Sequence, residues 1–155
     1  MYTFDYQRPS SASAAASAFQ GDTRYLAGGQ SLVQAMKLRV SSGERHVDLG
    51  GVAERKGICM EGSNVVIGAM TTHATVAASA DVKKAVPALA DLAGGIGDQM
   101  VRNMGTIGGS IANADPAACY PAGIVGLGAT IKTNQRTIAG DSFFTGLYET
   151  ALKPG

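Results

Sequence analysis

The chain has 155 residues and a mass of 15.8 kDa, enough for one ordinary domain or two small lobes that share a core. Thirteen Lys and Arg against twelve Asp and Glu leave a formal charge of +1, so no strong field favours nucleic acid or an anionic membrane. A hydrophobic share of 45% excludes wholesale disorder, and 21 glycines, about twice the usual ~7%, point to positive-φ turns or close backbone approaches.

Pro9 and Ser10–Ser11 predict a helix start, with the helix running to about Phe19 and stopping at Gly21–Asp22. The Ala/Ser stretch at 12–18 ends like a signal-peptidase site. It has no basic n-region before it and no Leu-rich centre, so it reads as an Ala-rich helix. Arg24 to Ala27 predicts a short strand, followed by Gly28–Gly29 and a second helix from about Ser31. Leu32, Met36 and Val40 set that helix's apolar face. His46 to Leu49 predicts another strand, so residues 1–55 read as a small lobe of helix, strand, helix, strand.

Residues 56–155 form the expected second lobe. Ile58–Met60 and Val65–Ile67 flank a turn at Gly62–Ser63 and predict a hairpin. Ser79 to Leu92 is helical with a break at Pro87, and Gly94 to Asn113 reads as a long glycine-rich loop. Ala129–Lys132 and Arg136–Ile138 predict a second hairpin that turns at Asn134–Gln135. Lys153-Pro154-Gly155 directly follows an apolar stretch, Phe143 to Leu152, which predicts a core continuing into further chain.

Several chemistries are not expected. The longest apolar run, Ala122 to Ala129, is far short of the ~20 residues that span a bilayer. Cys59 and Cys119 make no disulfide framework, which favours a reduced cytoplasmic protein. No Gly-Lys-Ser/Thr occurs, and Gly126-Leu127-Gly128-Ala129-Thr130-Ile131 has Ile131 where close helix packing requires Gly or Ala. Gly108-Gly109-Ser110-Ile111-Ala112 approaches an esterase elbow, yet no His follows it. Two histidines and two cysteines far apart in sequence do not predict a metal site, and His73 reads as a capping or packed residue.

Two glycine motifs remain. In Ala27-Gly28-Gly29-Gln30-Ser31-Leu32 a strand runs through two glycines into a helix start. There, backbone N–H groups can converge on an anion beside the positive end of the helix. Gln30 and Ser31 offer further donors; a plain strand–helix turn capped by Ser31 is the competing reading. Thr106-Ile107-Gly108-Gly109-Ser110 repeats the pattern, as a second nest or as a tight turn between buried segments. A diphosphate needs donors on two sides, and paired nests would supply them.

With these motifs the chain resembles the flavin-binding medium subunit of the molybdenum hydroxylases, the family of carbon monoxide dehydrogenase and xanthine dehydrogenase. The stretches that carry the resemblance are Ala27 to Leu32 with Met36-Lys37-Leu38-Arg39, Ile67 to His73, Val101-Arg102-Asn103 leading to Gly105 to Ser110, and Asp141 to Gly155. Phe4-Asp5-Tyr6-Gln7-Arg8-Pro9 also fits. The resemblance implies an α+β fold, the two-lobed FAD-binding domain of the PCMH/vanillyl-alcohol-oxidase type. Its small N-terminal α/β lobe precedes a larger lobe with a mainly antiparallel sheet.

The same resemblance carries FAD contacts onto Tyr25, Leu26, Ala27, Gly28, Gly29, Gln30, Ser31 and Leu32 in the first loop. In the second it carries them onto Thr106, Ile107, Gly108, Gly109 and Ser110, with Ile96 packed on the cofactor and Asn113 and Asp115 as polar neighbours. Cys119 stands where the family places an Asp hydrogen-bonded to FAD, which predicts weakened binding. Family members extend beyond the position of Gly155 into a separate C-terminal domain, so the chain resembles a truncated or split form. The implied role is to take electrons from an iron–sulfur subunit, fed by a molybdopterin-containing large subunit, and pass them through FAD to an external acceptor. No catalytic acid or base is assigned. A flavin-free remnant that keeps the fold and docks partners is the competing reading.

Overall fold

A computed structural model describes residues 1–154. Strands β1 (Asp5–Gln7), β2 (Thr23–Leu26) and β3 (Arg45–Asp48) form a parallel sheet in the order β1-β3-β2. Its register places His46 of the central strand between Tyr6 and Arg24. Helix α1 (Ala12–Ser17) starts where Ser11 accepts the Ala14 N–H at 3.2 Å, and α2 (Leu32–Lys37) connects β2 to β3. Ala15, Val47 and Val52 are buried together, with Tyr25 and Leu49 packed around them.

The sheet departs from expectation at two places. β1 is an edge strand with all three residues exposed, so it carries no alternation by which the sequence could announce it. Helix α2 is also shorter than its apolar spacing predicts. Leu38 closes it, Arg39 follows at φ 59°, and Val40 stands 76% exposed rather than on the helix face.

The rest of the chain is mainly helical around a second core. Hairpin β4 (Ile58–Glu61) and β5 (Asn64–Ile67) pairs Cys59 with Val66. Helices α3 (His73–Ala78), α4 (Ala80–Ala85) and α5 (Pro87–Gly94) follow, with Pro87 in the first turn of α5, where its missing N–H costs nothing. Val76, Val82, Leu89, Ala90, Ala93, Ile107 and Tyr120 form the core. Burying each large apolar side chain here contributes about 1.5–3 kcal/mol.

The long loop expected from Gly94 to Asn113 is instead two helices, α6 (Gln99–Met104) and α7 (Ile107–Asn113). Asp98 caps the first by accepting the Val101 N–H at 2.8 Å, and Thr106 caps the second through the Gly109 N–H at 3.2 Å. Helix α8 (Cys119–Gly126), also absent from the sequence reading, takes up most of the apolar run 122–129. Antiparallel pairing in this part consists of separate two-stranded ribbons, β4–β5, β6 (Thr130–Lys132) with β7 (Thr137–Ala139), and β8 (Phe144–Gly146) with β9 (Glu149–Thr150), and of a single bridge between Thr72 and Thr106. Among the described residues no helix is long and apolar enough to cross a membrane, and no cluster of His, Cys, Asp and Glu could hold a metal.

Candidate functional site

The first glycine loop leaves β2 at the carboxyl edge of the parallel sheet, where open α/β sheets bind ligands. Gly29 takes φ +73°, a conformation that costs other residues strain. The hydrogen bonds of α2 begin only with Val33 N–H to Gly29 O at 3.1 Å. Among the described residues nothing accepts from the amides of Ala27 through Leu32. The Ser31 hydroxyl makes no cap bond, and Gln30 Nε2 donates to the Gly28 carbonyl at 3.2 Å. A run of unengaged N–H groups beside a helix start is a cradle for an anionic oxygen, so these residues fit a diphosphate.

The second glycine motif is built differently. The Ile107 N–H donates to Thr71 O (3.1 Å), Gly108 to Ala69 O (2.8 Å), Gly109 to Thr106 Oγ1 (3.2 Å) and Ser110 to Thr106 O (3.0 Å). These amides are satisfied within the protein and do not converge on open space. The glycines serve packing instead: a Cβ on Gly108 would stand 2.5 Å from Ala69 Cβ. Paired nests are therefore replaced by one cradle and one closely packed helix start.

The two motifs touch. A Cβ on Gly28 would collide with the Met104 carbonyl oxygen and lie 2.8 Å from Gly105 Cα, and one on Gly109 would lie 3.2 Å from Ala27 Cβ. Behind this contact sits His73, whose N–H donates to Gly105 O at 3.0 Å and whose Nε2 would meet a Cβ on Gly105 at 2.5 Å. His73 is the packed residue expected; the cap of α3 is Thr72, which accepts the Thr75 N–H. Burial pushes the His73 imidazole below its ordinary range and so favours the neutral ring. Its ring lies 5.3 Å from that of Tyr120, whose fully buried hydroxyl has no partner among the described residues and whose pKa burial drives upward.

The remaining predicted residues are placed as follows. Tyr25 packs its ring on Phe19 and donates its hydroxyl to Ala15 O at 3.3 Å, so its side chain turns toward α1. Ile107 belongs to the core. Half-buried Ile96 lies in the turn before α6, and exposed Cys119 opens α8. Asp115 accepts the Ala117 N–H at 2.9 Å, and its charge raises the Tyr148 phenol above its usual range. Met104 and Arg102 carry no site signal of their own in the sequence, although they lie in the family-like stretch 101–110.

Fold and loop together define an α+β domain in which one amide cradle, suited to an anionic group, is backed by a second motif. Comparison places it more narrowly. Residues 2–155 match the family model described as the FAD binding domain in molybdopterin dehydrogenase, and the chain belongs to that family.

Its relatives include the carbon monoxide dehydrogenase medium chain of Hydrogenophaga pseudoflava, 40% identical over 97% of this chain and 55% of the relative. The glyceraldehyde dehydrogenase medium chain of Sulfolobus acidocaldarius is 38% identical over 98% of this chain and 56% of the relative. Among solved structures, carbon monoxide dehydrogenase from Hydrogenophaga pseudoflava superposes with a TM-score of 0.93 at 40% identity, covering 97% of this chain and 55% of that one. Quinoline 2-oxidoreductase from Pseudomonas putida 86 superposes at 0.94 and 33% identity, covering 99% and 56%. The chain thus spans about half the length of the relatives it matches.

Proposed function

We propose that the chain is the FAD-holding part of a molybdenum hydroxylase, an oxidoreductase subunit that carries electrons and leaves substrate chemistry to a partner. The observation that carries this reading is the run of unengaged amides from Ala27 to Leu32. In this reading those amides, with Gln30 and Ser31, hold the diphosphate. Thr106 to Ser110 close the opposite wall by shape, Ile96 meets the flavin ring, and Cys119 lies at the cofactor's edge. Residues 1–55 and 56–155 act as lobes, each with its own buried cluster.

Bound FAD would supply exchange of electrons between a donor that gives them singly and an external acceptor. The chain's own residues bind and orient it; no side chain here is assigned a proton to move. The relatives are named as medium chains of dehydrogenases, which supports an iron–sulfur subunit and a molybdopterin-containing large subunit as partners. Two free thiols support a reducing compartment, the cytoplasm.

The test is a visible absorption spectrum of the purified chain after FAD is added and excess removed, with the released cofactor identified by chromatography. Flavin retained near one per chain is expected. A colourless protein that melts cooperatively overturns the reading in favour of a flavin-free module.

A further inference from the structure

Near the cradle lies a half-buried cation that the binding of a diphosphate leaves unexplained. Among the described residues Arg102 on α6 has no carboxylate partner: the ion pairs there join Arg8 to Asp48, Arg24 to Asp22 and Lys132 to Glu61. Its guanidinium turns back on its own chain. One terminal nitrogen donates to the carbonyl oxygens of Ile96 at 3.1 Å and Gly97 at 2.8 Å, and the other to Gln99 Oε1 at 3.3 Å.

Two adjacent carbonyls aimed at one point repel each other, and a fixed cation between them removes that cost through charge-assisted bonds. The turn is tightened further by Gly97 at φ +51°, where a Cβ would press on Val101 Cγ1 at 3.0 Å, and by the Asp98 cap. The same short helix ends at Met104, whose carbonyl fills the space beside Gly28. At ~1.5 Å per residue, α6 is therefore a strut of about 9 Å between the Ile96 turn and the back of the cradle.

We infer that Arg102 is a positioning residue for the flavin, clamping the Ile96–Gly97 carbonyls to α6 and so fixing Ile96 relative to the Gly28 loop. The inference rests on the proposed FAD reading and assigns to Arg102 no contact with the cofactor. Loss of the clamp releases the ring-side turn while the amides of Ala27 to Leu32 stay in place. Binding of a ligand that has the diphosphate but no flavin ring is then unaffected.

The experiment titrates FAD and ADP into the purified chain and into Arg102→Gln, Ile96→Ala and the double variant. Each single variant is expected to weaken FAD about tenfold, the double no more than the weaker single, and ADP affinity to stay within about twofold throughout. The visible band of bound flavin shifts alike in all three variants. Arg102→Lys, which reaches one carbonyl at a time, recovers part of the loss, and it carries the same comparison should Arg102→Gln fail to fold. Additive losses, or equal loss of ADP, overturn the inference while the wild-type chain still binds FAD. A wild-type chain that binds neither ligand overturns the cradle reading and this one with it.

Discussion

The Met104 carbonyl oxygen occupies the space in which a Cβ on Gly28 would lie, so the backbone of α6 is packed directly on the first glycine loop. This contact changes the reason why residue 28 is glycine. Sequence reasoning gives Gly28 to the phosphate; the structure gives its missing side chain to loop–loop packing. Gly28→Ala is therefore expected to destabilise the ligand-free chain by about 1–3 kcal/mol and to weaken FAD as the loops part. Gly126→Ala, at a position with nothing within 4 Å, is expected to raise stability by ~0.5–1 kcal/mol. Urea unfolding without cofactor measures both. A Gly28→Ala chain as stable as wild type would return that glycine to the phosphate alone.

A second expectation concerns acid. His46 on the central strand is 1% exposed, and neither ring nitrogen has a partner among the described residues. Burial lowers its affinity for a proton, and Arg24 across the sheet lowers it further against a smaller opposing effect of Asp22. His73 is lowered by burial. Both folded values lie below the ordinary 6.5, so as pH falls the unfolded chain takes up these protons first. The histidine contribution to stability is then level above about pH 6.5 and declines below it, by at most ~1.4 kcal/mol per pH unit for each proton, until the folded groups titrate. Urea midpoints between about pH 7 and 5 trace the decline. The His46→Phe chain, which keeps a ring against Phe4, should show a shallower one. An unchanged slope in that variant would assign the decline to His73 alone.

Much of this fold was legible because local chemistry and tertiary structure agree. Ser11 caps α1 as its position suggests, Pro87 divides α4 from α5, and Gly62–Ser63 turns the first hairpin. The helices between Gly94 and Asn113 were hidden because Gly105, Gly108 and Gly109 read as breakers. In the folded chain Gly108 lies in a helix that must approach Ala69 within contact distance, and tertiary packing overrides its poor propensity. α3 and α8 are rich in Ala, Gly and β-branched residues and carry little helical periodicity of their own.

The candidate site was legible unevenly for a related reason. A free amide leaves a trace in sequence, since Gly-Gly before a helix start is what such a cradle needs. A carbonyl pressed against a missing Cβ leaves none, because Met104 contributes only backbone there. Arg102 was visible as a letter in the family-like stretch. Its function as a clamp depends on where the Ile96 and Gly97 carbonyls point.

Tyr120 gives a test of packing against polarity. Its ring fills the second core, yet its hydroxyl is buried with no acceptor and no donor among the described residues. An unsatisfied buried polar group costs about 1–3 kcal/mol, so Tyr120→Phe removes the penalty and keeps the ring. Thermal melting of the Phe variant is expected at or above the wild-type temperature. A clear fall would show that the Tyr120 hydroxyl is hydrogen-bonded in solution and contributes to stability.

The last prediction concerns Cys119, the first residue of α8 and exposed. The preceding Ala118 offers no side-chain cap, so the opening turn of α8 has no negative charge of its own. Cys119→Asp supplies one where the helix dipole favours it, which should stabilise the ligand-free chain by about 0.3–1 kcal/mol. If the position also faces FAD, as the family pattern implies, a charge-assisted hydrogen bond returns. Cofactor affinity then rises by ~10- to ~100-fold. The two effects separate because the first is read by melting without FAD and the second by titration with it. Cys119→Ser, a neutral donor of similar size, should give at most a small part of either. Stabilisation without tighter FAD would make the introduced carboxylate a helix-end charge alone and remove position 119 from the site.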